Sequence, residues 1–418
     1  MDFVKMLKEF DCDCGKRHNC AIRHIHIGKG ALQELPGTVK NYSDILLVAD
    51  PNTYGVCGEA VEELLGEKRY ETLILVRDGV LIPNEQAIAE VEAKLTDKTD
   101  LIVGVGSGVI QDLCKYVSFY HKLPYAIVCT APSMDGYAGA GAAMITDNMK
   151  ITYSCHVPET IIGDVDVLKT APMDMIRAGY GDILGKYSCL NDWKLSAVVR
   201  GEDFCQYVYD LIYDMLLQTK DLGEKLQQRD EEAIITLMEA IIGVGIAMAY
   251  VGSSRPASGS EHHLSHYFEI TGILNDEPYF AHGTDVVYST VYTQMLREQL
   301  LALEAPTPKG GHDAAEWEAK IRAIYTEAAE GVLAQQDKMG WYREDRAPIY
   351  AAKWDEIRKT LAEVPSCEVL KDYIASVGLD IKEFTELYSA EKIENALWYA
   401  KDLKDRYSVL WLYYDLMR

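Results

Sequence analysis

Five short apolar runs rich in β-branched residues, at 21–27, 45–49, 72–76, 101–105 and 126–129, punctuate the first third of the chain. Between them lie segments of helical period, clearest at 58–67, 84–95 and 110–120. Strands this short and apolar are buried on both faces, and their alternation with helices makes a parallel sheet covered on each side. The pattern predicts a doubly wound α/β nucleotide-binding domain, with ligands at the carboxyl ends of its strands. Segment 150–166 breaks the rhythm and reads as a crossover between domains. Beyond it the period is helical at 173–196, 203–222, 230–251, 262–274 and 286–305. It continues through 314–331, 350–363, 381–388 and 393–416, with PTPKGGHD at 306–313 as a loop. The expected organisation is an α/β dinucleotide-binding domain over 1–165 and an all-α domain over 166–418, with a cleft between them.

A chain of 418 residues supports two real cores. Its net charge of -24 argues against nucleic acid or an anionic membrane as partner, and any phosphate ligand needs a locally built anion site. The start, MDFVKMLKEFDCDC, carries acids and cysteines where a secretory leader has an apolar core. The ten scattered cysteines are no disulfide framework, so a reducing cytoplasm is expected. The most apolar stretch, 234–251, holds Glu239, Gly243 and Gly245 and reads as a buried core helix rather than a membrane span.

Chemistry gathers at a few loops. The fourth run continues as LIVGVGSGVIQD, where Gly104, Gly106 and Gly108 let backbone approach a pyrophosphate at a helix start. Asp112 follows one turn later; the spacing is GxGxG, not the usual GxGxxG. Asp50 ends LLVAD, as an acceptor for an adenosine ribose or as an ordinary helix cap. TAPSMDGYAG leaves the fifth run, with Thr130, Pro132, Ser133 and Asp135 in a polar turn.

In SSRPASGSEHHLSHYFE, His262 and His266 are four apart and share a helix face, and His282 follows in AHGTD. Solvated histidines at a polar helix start are the competing reading. Asp182 lies in AGYGDILGKYS, four residues before Lys186, with which an intrahelical ion pair is the simpler expectation. Asp182, His262 and His282 together would offer a metal three protein ligands and leave a fourth position open, as catalytic sites do. Cys12, Cys14, His18 and Cys20 are also ligand types, although CxC is tighter than usual zinc spacing and reduced thiols are the alternative.

Taken in order, GVGSGVIQDLCKY, TAPSMDGYA, GYGDILGKYSCLNDWKLS, SRPASGSEHHLSHYFE and AHGTDVV closely resemble sn-glycerol-1-phosphate dehydrogenase in its bacterial AraM-like branch. That family lies within the superfamily of dehydroquinate synthases, glycerol dehydrogenases and iron-containing alcohol dehydrogenases. The resemblance runs from about Cys12 to about Val287. It implies a dehydroquinate synthase-like fold, a cytoplasmic homodimer and a role in phospholipid metabolism. The implied reaction is reversible reduction of dihydroxyacetone phosphate with NAD(H) or NADP(H), assisted by one divalent metal, zinc or nickel. It implies a metal on Asp182, His262 and His282, and substrate on Asp135, Asp182 and His266. The dinucleotide falls to Asp50, to Gly106, Ser107, Gly108, Val109 and Ile110, and to Thr130, Ala131, Pro132 and Ser133. Gly139 departs from the family, which often has serine there. Arg255, and after it Lys186, are the cations expected to meet the substrate phosphate. A dehydroquinate synthase-like carbon–oxygen lyase and a glycerol dehydrogenase for unphosphorylated polyols are the neighbouring activities.

Overall fold

The computed structural model describes residues 1–146, 149–309 and 311–418, so Gly310 of the 306–313 loop lies outside the described residues. The chain forms two compact units: Met1–Ile183 with Leu217–Ser254, and Leu184–Leu216 with Arg255–Arg418. Relative to a division at residue 165, the α/β unit thus also holds residues 166–183 and 217–254.

The first unit is built on a six-stranded sheet, all parallel, in the order His24–Gly28, Thr160–Asp164, Tyr125–Cys129, Leu101–Gly106, Asp44–Ala49, Arg69–Ile74. Alternate residues feed two cores. Leu47, Ala49, Val103, Val105, Val128 and Ile162 pack on one face with Leu35 and Val61. Leu46, Val48, Ile102 and Tyr125 pack on the other with Val91, Leu113 and Val117. That two-sided burial is why these strands read as continuous apolar runs.

Strand Thr160–Asp164, every residue of it buried, corrects the expectation of an irregular crossover at 150–166. Pro158 and Gly163 mask its β-branched core in the sequence. The same segment also carries Met149–Ser154, paired antiparallel with Gly141–Thr146 in a separate two-stranded sheet. Chain order reverses between Leu101–Gly106 and Asp44–Ala49, and this topological switch point is where open α/β sheets bind ligands.

Helix Glu231–Val251 is the one described helix long and apolar enough to cross a bilayer, and 67% of its most apolar window is buried inside the protein. It lies close on the loop after strand Tyr125–Cys129: a Cβ on Gly245 would sit 2.7 Å from the Ala138 Cβ.

The second unit is helical. Lys186–Arg200, Ser260–Asn275, His282–Leu301 and Ala347–Leu361 are among its longer helices. Helices Met173–Leu184 and Lys186–Arg200 separate at Gly185, where a single helix over 173–196 was expected. The last expected helix likewise divides, into Ala390–Tyr399 and Val409–Met417. At the centre of this unit the fully buried Asp192 meets the fully buried Arg297 at 2.8 Å.

Candidate functional site

Within the α/β unit, three segments leave adjacent strand ends at the switch point. Ala49 pairs with Val105, and Gly106 with Cys129, so Asp50, Ser107 and Thr130 follow neighbouring positions along one edge. Ser107 begins helix Gly108–Tyr120 without a side-chain cap, which leaves the first helical N–H groups for an anion. Gly104, Gly106 and Gly108 are there for closeness and not for a left-handed φ. A Cβ on Gly106 would lie 2.5 Å from that of Ile110, and one on Gly104 3.0 Å from the Cys114 Sγ. Asp50 caps the next helix start through Oδ1 alone, accepting the Asn52 and Thr53 N–H groups at 2.8 and 3.0 Å. Its capping role is therefore real, and Oδ2 takes no part in it.

The loop after Cys129 is anchored at several points. Tyr137 donates from its hydroxyl to the Ala131 carbonyl at 2.8 Å. The buried Lys115 ammonium donates to the Gly136 and Gly141 carbonyls at 2.9 and 2.8 Å and pairs with Asp112 at 3.6 Å. Burial pulls the Lys115 pKa down, and Asp112 pulls it back up. Asp112 also accepts the Ala143 N–H at 3.1 Å, so this acid fixes the loop's far end. Helix Met173–Leu184 meets the same loop at Gly179, where a Cβ would fall 1.8 Å from the Pro132 carbonyl oxygen. Only glycine permits that approach, and three residues on, about 4.5 Å along the helix axis, it places a buried carboxylate against the loop: Asp182 Oδ2 accepts the Asp135 N–H at 2.9 Å. Gly139, where the family often has serine, lies with its Cβ position 3.2 Å from the Met248 methyl. A serine there would need that flexible end to shift.

Within the helical unit, helix Ser260–Asn275 and the start of helix His282–Leu301 bring three imidazoles together. Ring centroids are 5.1 Å apart for His262 and His282, 5.6 Å for His266 and His282, and 6.0 Å for His262 and His266. His262 is buried, and its Nδ1 meets Glu261 Oε1 at 2.6 Å. Glu261 is fully buried, and desolvation pushes its carboxyl up against the lowering pull of the Gly259 N–H. Ser265 Oγ stands 3.5 Å from His282 Nδ1. Glu261 and Ser265 were missed as site residues in the sequence, where the only signal is an acid directly before the first histidine of SEHHLSH.

Of the two cations expected at the substrate phosphate, Arg255 is placed otherwise. Arg255 is buried, with Nε on Glu202 at 2.9 and 3.1 Å and Nη2 on the carbonyls of Asp192 and Tyr407 at 3.0 and 2.7 Å. Those bonds commit it to the protein, which corrects its assignment to phosphate. Lys186 is fully buried and donates to the Ala257 carbonyl at 3.1 Å. Replacing Arg255 by methionine is accordingly expected to destabilise the helical unit by about 1.5–3 kcal/mol, the range for hydrogen bonds to a charged group. In steady-state kinetics it should alter KM for phosphorylated and unphosphorylated ketones alike; a selective effect on the phosphorylated one would restore the phosphate role.

Residues 26–172 match the family described as iron-containing alcohol dehydrogenase. Among solved structures, an iron-containing alcohol dehydrogenase from Thermococcus thioreducens aligns with a TM-score of 0.61 at 16% identity, covering 94% of this chain and 97% of that one. That likeness establishes the two-part fold. Relationship is closer among curated sequences. The glycerol-1-phosphate dehydrogenase (NAD(P)+) of Bacillus licheniformis is 29% identical over 96% of this chain and 90% of its own length. That of Halalkalibacterium halodurans is 34% identical over 68% of this chain and 73% of its own length. With a glycine-started helix at the switch point and a histidine trio on the helical unit, the chain belongs to the glycerol-1-phosphate dehydrogenase family.

Proposed function

We propose that the chain reduces dihydroxyacetone phosphate reversibly to sn-glycerol 1-phosphate with NADH or NADPH, and that Asp182, His262 and His282 hold a divalent metal for that reaction. The observation that carries this reading is the Glu261–His262 contact at 2.6 Å. It ties up Nδ1, so Nε2 is left to carry the lone pair, as in carboxylate–histidine–metal arrangements. The close approach of the His282 ring to His262 and the burial of Asp182 fit the same ion. One carboxylate and two imidazoles suit zinc and nickel equally.

When bound, such an ion stabilises negative charge developing on the ketone oxygen, and the nicotinamide supplies the hydride. The protein's own groups do the rest. The uncapped N–H groups after Ser107 take the pyrophosphate, with Gly106, Gly108, Val109 and Ile110 shaping the approach. Thr130, Ala131, Pro132 and Ser133 line the neighbouring strand exit. Asp50 Oδ2 accepts a ribose hydroxyl, and its charge disfavours a 2′-phosphate, tilting preference to NADH. Asp135, held through its N–H by Asp182, binds a substrate hydroxyl. His266 holds a substrate oxygen and passes it a proton from the ring. A cytoplasmic location and a homodimeric assembly complete the proposal.

The test is NADH oxidation with dihydroxyacetone phosphate on metal-stripped protein, with zinc or nickel then added. Metal-restored turnover to the sn-1 phosphate is expected. NADH binding without turnover under either metal would overturn the dehydrogenase reading in favour of a lyase that regenerates its cofactor within each cycle.

A further inference from the structure

Far along the sequence from the residues just described, the N-terminal hairpin builds a cluster that the dehydrogenase reaction does not use. Phe10–Asp11 pairs antiparallel with Arg17–His18. The reversal is closed by the Gly15 N–H on the Cys12 carbonyl at 2.9 Å and the Cys12 N–H on the Lys16 carbonyl at 3.0 Å. Gly15 takes φ +80, a left-handed conformation that suits glycine. Within this turn, one ligand atom each of Cys12, Cys14 and His18 lies within 4.8 Å of the other two.

The Cys14 Sγ stands 3.4 Å from His18 Nε2. Zinc bonded to a thiolate and an imidazole at tetrahedral angle holds the two donor atoms about 3.5 Å apart. His18 is fully buried, its ring edge-on to Phe10 and stacked on Tyr250, both at 5.4 Å between centroids. Its Nδ1 meets the Tyr250 carbonyl at 2.9 Å, so that nitrogen carries the proton and Nε2 carries the lone pair toward Cys14. A histidine locked in one tautomer with its lone-pair nitrogen facing a thiol is disposed as metal ligands are. Cys20, grouped with these residues by sequence spacing, falls outside the cluster, and burial pushes its thiol up.

We propose that Cys12, Cys14 and His18 bind a zinc ion. Each cysteine releases its thiol proton on binding, and no electron transfer is involved. The ion would clasp the hairpin turn, whose His18 already reaches the carboxyl end of helix Glu231–Val251 through Tyr250. CxC is compatible with this because the left-handed Gly15, not a longer spacer, turns the chain.

Metal analysis of the full-length protein purified without chelator is the test, with zinc as the probe. Two equivalents per chain are expected, one lost in the C12S/C14S variant and the other in H262A. In wild-type protein loaded with cobalt(II), a thiolate-to-cobalt charge-transfer band should appear, persist in H262A and vanish in C12S/C14S. Cobalt-loaded wild-type protein without that band would overturn the proposal even if a variant failed to fold. Because the band is read without turnover, its outcome is independent of whether the dehydrogenase reading holds.

Discussion

The H262A protein is expected to keep its fold and its dinucleotide affinity while losing the active-site ion and on the order of 10³-fold in kcat/KM, the scale set by removing a preorganised stabiliser of developing charge. Two features separate this from general damage. His262 lies on a helix of the second unit, whereas the residues proposed for the dinucleotide lie on strand ends of the first. Truncation also leaves Glu261 as a buried carboxylate with its Oε1 still accepting the Gly259 N–H at 2.9 Å, so part of its satisfaction survives. Replacing Glu261 by glutamine is the graded companion. It retains a hydrogen-bonding group but removes the charge that raises imidazole basicity, and metal affinity should weaken about 10–100-fold. NADH binding by fluorescence and metal content by mass spectrometry would be read together with kcat/KM. If H262A kept both its metal and its activity, the ligand assignment would fail.

The sheet was legible because burial on both faces writes itself as uninterrupted apolar runs. The exception, Thr160–Asp164, shows the limit: five buried residues between Pro158 and a helix start resemble a linker when only period is read. The return of residues 217–254 to the α/β unit was hidden for a different reason. Chain order carries no record of which core an apolar helix fills. Histidine spacing pointed to a shared face for His262 and His266, and His282, already grouped with them in the sequence, reaches them from a second helix. Arg255 was misassigned because a cation beside a metal-type helix looks available. Its partner Glu202 lies 53 residues away in sequence, and such a pairing leaves no local trace. Glu261 was overlooked because an acid at a helix start is ordinarily a favourable charge near the dipole, and only the fold turns it toward a ring.

Asp192→Ala is expected to cost about 3–5 kcal/mol, the loss found when one member of a buried ion pair is removed. Asp192 and Arg297 are both fully buried and 2.8 Å apart, so truncating the acid strands a guanidinium in a low-dielectric interior. The same carboxylate accepts the Ser260 N–H at 2.7 Å and the Val409 N–H at 2.9 Å, and two buried backbone donors are orphaned with it. Pairing Asp192→Ala with Arg297→Met removes both charges and should recover a large part of the loss, because the penalty lies in the uncompensated charge more than in the missing attraction. Urea unfolding of the four proteins of this cycle measures the coupling, and additive losses would show that the pair does not act as a unit. The consequence reaches the chemistry through one bond. Ser260 is the first residue of the helix that carries Glu261, His262 and His266, and Asp192 holds its N–H. Even where the single variant stays folded, the start of that helix loses its tether, so metal affinity should fall along with stability. In the double variant, stability should recover further than metal affinity does, since neither alanine nor methionine restores an acceptor for the Ser260 N–H.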